Sequence, residues 1–400
     1  NLTNWTDSKN SLSSSTIQKL FDGFKVYNKY MHFSITKSFK HLLFLSFNYL
    51  KKSNYVDVVF SGKNDYAKKS GKLNCLSFRR ENLIIRLLNS FLSFIKIKPI
   101  QNGFYFSSKI NNFVKKNKDK YDLIFIQLIR FAQYLPNDFK KKTILDMGDI
   151  YSLLYYDTYK RLSILNPLCI LLLIESILLK KFEKNSYEKF TKVLFFAKND
   201  LNLIEKKYRK KLLHLNYGVE SHKKVFRFSN NNYKILFIGN IRYIPNKNAC
   251  YHFIKNILPN LVKIYPEIEF HIIGNIGIVD KFIFSRNPSV KVHGNVKKLE
   301  KIVKNAFCGI ANINNTSGFQ TKVLSYMKLG FPVVVDNKTA KNFSVLHKNN
   351  YFYGSDEEMI EMILEIKRNK KLSINLSKKN DIYLKEFYWK KVLNNFNKLL

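Results

Sequence analysis

Continuous apolar runs alternate with stretches of helical period along the second half of the chain. Between the runs, segments such as NACYHFIKNILPNLVKIY place apolar residues at the three- and four-residue spacing of an amphipathic helix. This alternation predicts parallel βαβ units in a doubly wound sheet that is covered on both faces. The predicted strands are YKILFIGN (233–240), IEFHIIGN (268–275), VKVHGNV (290–296), CGIANIN (308–314) and FPVVVD (331–336).

The first half has the same pattern in a weaker form. Predicted strands there are YVDVVFSG (55–62), YDLIFIQL (121–128), KTILDMGD (142–149) and TKVLFFAKND (191–200). About fifty residues at the start resist assignment. A polar stretch, SHKKVFRFSNNN (221–232), separates the halves. Since 400 residues exceed one ordinary core, we predict an N-terminal domain over 1–225, a C-terminal domain over 226–385 and a last helix over 386–400.

Glycines mark the ends of three predicted strands in the second half. Ligands of open α/β sheets bind beyond the carboxyl ends of the strands. Gly239, Gly274 and Gly294 fall at that edge, where glycine permits a tight turn or a close backbone approach. Two such domains facing each other would enclose a cleft, and Asn240 and Tyr243 are expected to line it.

The segment NNTSGFQTKVLSYMKLGFPVVV predicts a polar loop, a helix beginning near Phe319 and a buried strand. The first turn of a helix presents unpaired amides and a partial positive charge, which attract an anion such as a diphosphate. Ser317 and Thr321 offer hydroxyls there, Gly318 lets the backbone approach, and Lys322 offers an ammonium group. The alternative is an ordinary capped helix whose Lys322 points to water.

The net charge of +40 raises the question of a polyanionic partner. Only 10 of the 69 basic residues are arginine, and Asn, Phe, Ile and Tyr are abundant. Nucleic-acid readers favour arginine, whose planar fork matches phosphates and guanine edges. The composition therefore favours A/T-rich coding bias, with docking on an anionic membrane surface as an alternative use of the lysines. No nucleic-acid partner is expected.

Cysteine usage and apolar stretches bear on the compartment. The four cysteines are far apart and form no CxxC pair, so neither a disulfide framework nor a metal site is expected. The polar, serine-rich start lacks the pattern of a signal peptide. LCILLLIESILL (168–179) is too short to span a bilayer and predicts a buried helix, or one lying in a membrane surface. We expect a cytoplasmic protein, either free or held peripherally on the inner face of the membrane.

Several segments together resemble the GT-B glycosyltransferases, specifically the retaining family 4 type of bacterial surface-polysaccharide synthesis. In the second half these are FIGNIRYIPNKNACYHFIKNILP, NPSVKVHGNVKKLEKIVKNAFCGIANI and SGFQTKVLSYMKLGFPVVV. In the first half PIQNGFYFSS, YDLIFIQLIRFAQYL and TILDMGDIYSLLY are similar to first-domain segments of some members. LNYGVES resembles the domain junction, and FYWKKVLNNFNKLL resembles the last helix, which in this fold crosses back to the first domain. The likeness covers roughly residues 95–400.

The resemblance implies two Rossmann-like domains facing a cleft, and transfer of a sugar from a nucleoside-diphosphate sugar to a glycan or lipid-linked acceptor. No metal or other cofactor is implied, because fixed amides and cations stabilise the departing diphosphate. The implied catalytic candidates, for a first-domain base or an acceptor contact, are Asp149, with a helix cap as its alternative, and Arg130, with an ion pair as its alternative. The implied diphosphate contacts are Ser317, Gly318, Thr321, Lys322, Arg242 and Lys247, the nucleoside contacts are Ser325, Tyr326 and Gly294, and the other cleft residues are Gly239, Asn240, Tyr243 and Gly274.

Two departures from the family pattern keep other functions open. The family often carries two glutamates flanking seven residues around the donor helix, and those spacings fall here on Ser317 and Ser325. The arginine that usually follows the first glycine is Asn240. The alternatives are a nucleotide-sugar epimerase on the same fold, for which His271 and His293 form no convincing acid–base cluster, and a decayed polyanion- or membrane-binding protein.

Overall fold

The structure, a computed structural model, describes residues 55–161, 166, 168–221, 224–296, 298–313, 318–348 and 351–399. The unassigned start and Ser317 lie outside these residues. The strands of the described part are β1 Val56–Gly62, β2 Tyr66–Ser70, β3 Leu73–Arg79, β4 Leu123–Gln127, β5 Lys142–Gly148, β6 Lys192–Phe195, β7 Leu212–His214, β8 Lys234–Ile238, β9 Glu269–Ile273, β10 Val290–Gly294, β11 Ala306–Ala311 and β12 Val333–Val335.

Helices connect most of these strands. They are α1 Leu83–Ile95, α2 Ile100–Phe104, α3 Ser108–Asn117, α4 Tyr151–Arg161, α5 Leu168–Lys189, α6 Ile244–His252, α7 Leu258–Ile264, α8 Ile278–Phe284, α9 Leu299–Val303, α10 Thr321–Leu329, α11 Asn337–Ala340, α12 Ser344–Lys348, α13 Asp356–Arg368, α14 Lys370–Leu384 and α15 Trp389–Leu399. A π-helical turn, Phe253–Ile257, joins α6 to α7, and 3₁₀ turns cover Lys118–Lys120, Ile129–Tyr134, Lys198–Leu203, Lys206–Lys211 and Lys385–Phe387.

The C-terminal sheet is parallel throughout, with the strand order β10-β9-β8-β11-β12. Its strands bury side chains on both faces: Phe237 and Val334 belong to one core, Leu236 and Val335 to the other. This double burial explains why the strands read as continuous apolar runs. The order is that of a doubly wound nucleotide-binding half, with its first strand in the centre.

The N-terminal part contains two sheets. Strands β4, β5, β6 and β7 form a parallel sheet in sequential order, and β1, β3 and β2 form a separate sheet in which β2 is antiparallel. The side chains of Tyr121 and Asp57 hydrogen-bond between the two sheets. The predicted α/β class with parallel sheets is confirmed, whereas β2, β3 and β7 were not predicted.

The chain passes between the two parts at two adjacent points. Residues Val219 and Tyr388 form an isolated parallel bridge, in which the Val219 amide donates to the Phe387 carbonyl at 2.8 Å. The Trp389 amide donates to the Val219 carbonyl at 3.2 Å. A side chain at Gly218 would lie 2.3 Å from the Trp389 ring, so only glycine fits beneath that ring.

Beyond this bridge, α15 packs on the N-terminal parallel sheet. Val392 and Phe396 are fully buried in one cluster with Ile144 of β5 and Leu194 of β6. The Phe396 ring meets Phe125 edge-on, with centroids 6.2 Å apart. The last helix therefore completes the core of the first domain although it follows the second in sequence.

Candidate functional site at the switch point of the C-terminal sheet

The strand order of the C-terminal sheet reverses at β8, whose neighbours are β9 and β11. The helices that follow β8 and β11 pack in different cores, α6 in one and α10 in the other, and the crevice at such a point is where open α/β sheets bind ligands. The loop after β8 contains Gly239, Asn240 and Tyr243. The segment after β11 leads through Gly318 to α10. Both sets of predicted residues therefore converge on one crevice.

Three predicted glycines lie side by side along this edge. The Gly239 amide donates to the Ile273 carbonyl at 2.9 Å, and the Gly274 amide donates to the Gly294 carbonyl at 2.8 Å. Gly274 has φ +136°, and a Cβ there would lie 1.8 Å from the Gly239 carbonyl oxygen. Gly274 is therefore needed for close packing of two loops, while Gly294 ends β10, two strands away from β8.

The backbone before α10 reaches across to the first domain. The Gly318 amide donates to both carboxylate oxygens of Asp200, at 3.1 and 3.3 Å. The next amide, that of Phe319, donates to Asp149 Oδ1 at 3.3 Å. Gly318 has φ +104°, a conformation that favours glycine. Two successive amides therefore hold anionic oxygens at the place where the sequence predicted anion binding.

The helix itself begins two residues later than predicted. Gln320 is the N-cap and Thr321 the first helical residue of α10, and the Thr321 amide donates to the Phe319 carbonyl at 2.9 Å. The predicted helix start is thus a loop rather than a helical turn, and the anion-holding amides precede the helix. Gly330, with φ +87°, ends α10 in the left-handed conformation that is usual at a helix C-terminus.

Lys322 lies beneath the loop after β8. Its side chain is buried, its Nζ donates to Asn246 Oδ1 at 2.8 Å, and the ammonium lies 3.8 Å from the Phe237 ring centroid. The alternative in which Lys322 points to water is wrong. A buried ammonium close to the end of β8 provides fixed positive charge at the switch point.

The remaining residues of the β8 loop are more exposed. The Arg242 amide donates to Asn240 Oδ1 at 3.2 Å, which closes a small turn, and the side chains of Arg242 and Asn240 are exposed. Tyr243 is 43% exposed. Lys247 Nζ lies 3.5 Å from Asp280 Oδ1, so its charge is already paired within the C-terminal domain.

Tyr326 cannot contact a ribose, which corrects the prediction from sequence. The side chain is fully buried, and its hydroxyl donates to the Ile310 carbonyl at 3.0 Å and accepts from the Ile238 amide at 2.8 Å. A side chain at Gly309 would lie 2.3 Å from the Tyr326 ring. Tyr326 therefore ties β8 to β11. Ser325, half-buried, donates to the Thr321 carbonyl at 3.3 Å.

Replacing Tyr326 with phenylalanine is expected to lower the free energy of unfolding by about 2–4 kcal/mol, because two buried backbone groups lose their partner. Nucleotide affinity of the folded variant should not change. Denaturant unfolding checks the first expectation and calorimetry the second. Tyr156→Phe, at a side chain 37% exposed, is the matched control and should change stability by less than about 0.5 kcal/mol. If Tyr326→Phe weakens nucleotide binding without lowering stability, the predicted contact between Tyr326 and the ribose is supported instead.

Acidic residues of the first domain face the Gly318 backbone. Burial raises the pKa of Asp149 to about 6, against the opposing hydrogen bond from the Phe319 amide. Burial also raises the pKa of Asp146, two strand positions before Gly148, to about 7, and the charge of Asp149 adds to that rise. Asp146 Oδ2 is buried without a hydrogen-bond partner in the described part of the chain. Both side chains come from the carboxyl end of β5.

Sequence reasoning missed Asp146 and Asp200. Asp200 lies in the 3₁₀ turn that follows β6, and its side chain is fully buried. Both residues belong to the predicted strand-and-turn segments, at the ends of parallel strands. A search for carboxylates at those positions would have found them, because loops after parallel strands meet at the same edge.

Arg130 occupies a different part of this edge. Its guanidinium lies 4.5 Å from the Tyr105 ring centroid and 5.6 Å from that of Tyr151, and among the described residues its buried Nε has no hydrogen-bond partner. It interacts with the Tyr151 hydroxyl, two residues after Asp149, and its charge opposes the rise that burial produces in the pKa of Tyr151. Arg130 therefore borders the Asp149 loop but does not contact Gly318 in this arrangement.

The histidines considered for an epimerase bond to each other. His271 is buried, its Nδ1 lies 2.8 Å from His293 Nε2, and its Nε2 lies 2.8 Å from Glu269 Oε2. Burial lowers the pKa of both imidazoles. They are carried by β9 and β10, not by the two strands at the switch point.

The described part of the chain meets the requirements of neither a metal-binding cluster nor a membrane span. No group of three or more His, Cys, Asp or Glu side chains in it is placed to hold a metal ion. No helix in the same residues combines the length and apolarity that crossing a bilayer requires.

The fold defines a class of protein: two α/β domains are joined at Val219 and Tyr388, and the candidate site lies at the switch point of the second. This is the GT-B architecture. Residues 232–369 match the family model described as glycosyl transferases group 1. The C-terminal domain is therefore similar to this glycosyltransferase family, in agreement with the resemblance seen in the sequence. No curated protein sequence matches the chain.

Solved structures support the same fold. A Burkholderia xenovorans UDP-forming α,α-trehalose-phosphate synthase is 10% identical with a TM-score of 0.61, over 89% of this chain and 95% of that one. Anabaena HepE in complex with UDP and glucose is 10% identical with a TM-score of 0.56, over 81% and 85%. A mutant of S. aureus TarM, in complex with fondaparinux, α-GlcNAc-glycerol and UDP, is 14% identical with a TM-score of 0.53. That match covers 72% of this chain but only 58% of TarM.

Proposed function

We propose that this protein is a retaining glycosyltransferase that moves a sugar from a nucleoside-diphosphate sugar to a hydroxyl of a glycan or lipid-linked acceptor. The observation that carries the proposal is the pair of backbone amides at Gly318 and Phe319, which hold carboxylates across the crevice. Amides that hold carboxylate oxygens are also suited to the oxygens of a diphosphate. Their position at the switch point supports the same ligand class.

In the proposed reaction, the bond between the anomeric carbon and the diphosphate oxygen breaks while the acceptor oxygen bonds to the anomeric carbon. Negative charge develops on the departing diphosphate, and preorganised amides and Lys322 would stabilise it. The incoming diphosphate would replace Asp149 and Asp200 on the amides. This leaves two carboxylates close to the transferred sugar.

Asp149 is the proposed acceptor of the hydroxyl proton. Its raised pKa, about 6, is suited to general base work near neutral pH. The acceptor hydroxyl loses its proton to Asp149 as the new bond forms. Arg130 and Tyr151 border the same loop and would contact the acceptor. Of the predicted nucleoside contacts, Ser325 and Gly294 remain in the proposal.

Uridine diphosphate is the first nucleotide to test, because several structural neighbours were solved with it. Cell-surface glycan synthesis is the proposed pathway class, since TarM and the pneumococcal O-GlcNAc transferase GtfA share the fold. The enzyme would work in the cytoplasm, on an acceptor at the inner face of the membrane. No metal or cofactor is part of the proposal.

The test is a thermal-stability screen with uridine and guanosine diphosphates and their sugars. A ligand present at 100 times its Kd stabilises the folded state by about 2.7 kcal/mol, which would raise Tm by roughly 5–10 °C. Adenosine monophosphate is the control and should have a smaller effect. If no nucleotide stabilises the protein at millimolar concentration, the result favours the alternative of a decayed, non-catalytic binding protein. A sugar nucleotide converted to its epimer without acceptor would instead identify an epimerase.

A further inference from the structure

Helix α1 has its polarity reversed relative to an ordinary surface helix. Its sequence, LIIRLLNSFLSFI, contains one charge and no acidic residue. The large apolar side chains point outward: Ile84 is 70% exposed, Leu88 56%, Phe91 61% and Ile95 58%. These four positions follow the spacing of one helical stripe. An amphipathic helix of a globular protein buries such a stripe, so this one presents a surface suited to an apolar medium.

The polar residues of α1 face the protein instead. Arg86 donates through Nε to the Phe104 carbonyl at 3.0 Å, and its guanidinium lies 3.8 Å from the Phe104 ring centroid. Ser90 is buried and donates to the Arg86 carbonyl. A side chain at Gly103 of α2 would lie 2.0 Å from the Asn89 carbonyl oxygen. Close contact with α2 therefore fixes which face of α1 is turned outward.

A second helix, α5, also carries exposed apolar side chains. Ile170 and Ile177 of α5 are 68% and 61% exposed, one above the other at a spacing of seven residues. Glu175 of the same helix accepts from the Ile100 amide at 2.7 Å and from the Gln101 amide at 3.1 Å. These bonds hold α5 against α2, which in turn holds α1.

A lysine-rich cavity adjoins the ends of both helices. It has a volume of about 570 Å³ and no Asp or Glu in its lining. None of its lysines forms an ion pair with a residue in the described part of the chain, and only Lys189 donates to a side chain there, Asn137 Oδ1, at 2.6 Å. The lysines that line it are Lys96, Lys98, Lys115, Lys181 and Lys189.

We propose that α1 and the outward face of α5 lie in the surface of an anionic lipid bilayer, with the lysine-lined cavity receiving lipid phosphates. An apolar helical face flanked by basic residues is suited to the boundary between acyl chains and headgroups. At 13 residues, about 20 Å, α1 lies in the surface and does not span the bilayer. The net charge of +40 is complementary to anionic lipid.

This inference specifies how the protein of the proposed function would contact its membrane, and the biological role of that contact rests on the proposed function. Its test needs no turnover. Full-length protein is mixed with vesicles of phosphatidylcholine alone or of phosphatidylcholine with phosphatidylglycerol, and the bound fraction is measured by cosedimentation. We expect binding to the anionic vesicles at low salt and weaker binding as salt rises.

The decisive variant carries Ile84→Gln, Leu88→Gln, Phe91→Gln and Ile95→Gln. Since these side chains are mostly exposed, the variant should fold, which circular dichroism checks. Its affinity for anionic vesicles should fall on the order of 100-fold. A second variant, with glutamine at Lys96, Lys98, Lys115 and Lys181, should lose roughly fivefold per lysine on anionic vesicles only.

The matched control is Ile278→Gln with Phe282→Gln on α8, where the side chains are 88% and 63% exposed. It removes apolar surface from the other domain and should leave vesicle binding unchanged. The proposal is overturned if the wild type ignores anionic vesicles, or if the α1 variant binds like the wild type. An equal loss in the control also overturns it. The proposal is also overturned if the wild type is a dimer that does not bind vesicles and the α1 variant is a monomer. In that case a second copy of the chain covers the apolar face of α1.

Nucleotide stabilisation of the same variants separates the two proposals. Both the α1 variant and the lysine variant should retain the wild-type response to nucleotide, because they leave the crevice intact. Loss of vesicle binding with nucleotide binding retained supports the membrane surface. Nucleotide binding without any vesicle binding by the wild type ends this inference and leaves the proposed function standing.

Discussion

Lys322→Met is expected to lower kcat/KM by two to three orders of magnitude, the usual effect of removing one group that stabilises transition-state charge. Methionine keeps most of the side-chain volume over the Phe237 ring but removes the ammonium group that lies 3.8 Å from it. Stabilisation by nucleoside diphosphate should fall as well. The apo variant should stay within about 2 kcal/mol of the wild type, because loss of the bond to Asn246 is offset by relief of a buried charge.

Steady-state rates, calorimetry with the diphosphate and denaturant unfolding measure these three effects. Lys328→Met, on the same helix and half-buried, is the control and should leave nucleotide affinity unchanged. If Lys322→Met binds the diphosphate as tightly as the wild type does, the ammonium is a packing group and does not belong to the donor site. A variant that unfolds would likewise assign Lys322 to the core of the domain.

Asp149→Asn should separate nucleotide binding from catalysis. We expect kcat to fall by a factor of about 10² to 10⁴, the range for loss of a general base. The affinity for nucleoside diphosphate should stay the same or rise, since a negative charge opposite the diphosphate is removed. Loss of affinity together with kcat would instead assign Asp149 to the framework that holds the domains together.

The pH dependence gives this prediction an independent readout. As a base, Asp149 must be deprotonated, so the wild-type rate should rise with pH through about 6, and the variant should lose that limb. Stability should change in the opposite direction. The pKa is raised in the folded state, so the native protein binds more protons between about 4 and 6, and stability falls as pH rises through that window. Asp122→Asn, at an exposed surface pair, should show neither effect.

The sequence was most informative where burial is complete. Strands β8 and β12 are covered on both faces, so nearly every residue in them is apolar and the pattern is unambiguous. Strand β2, YAKKS, carries two lysines, and β7 has three residues, too few for a pattern. Such edges are defined by pairing with neighbours far along the chain, which local sequence does not encode.

The site was predicted in position but not in detail. Gly318 and Lys322 could be predicted because a glycine before a helix lets the backbone approach an anion, and a lysine in the first turn adds positive charge there. The local sequence predicts a ribose contact for Tyr326 because it does not show that the ring packs on Gly309, which lies in another strand. Asp200 was missed for the same reason: its bond to the Gly318 amide joins residues 118 positions apart. Contacts across such separations follow from the fold.

The paired crossings at Val219 and Tyr388 have a mechanical consequence. Two segments tied to each other by hydrogen bonds resist sliding, so we expect the halves to move mainly by rotation about that point. Such a rotation would control access to the Gly318 amides. Release of Asp149 and Asp200 would occur in concert, because both belong to the half that swings away.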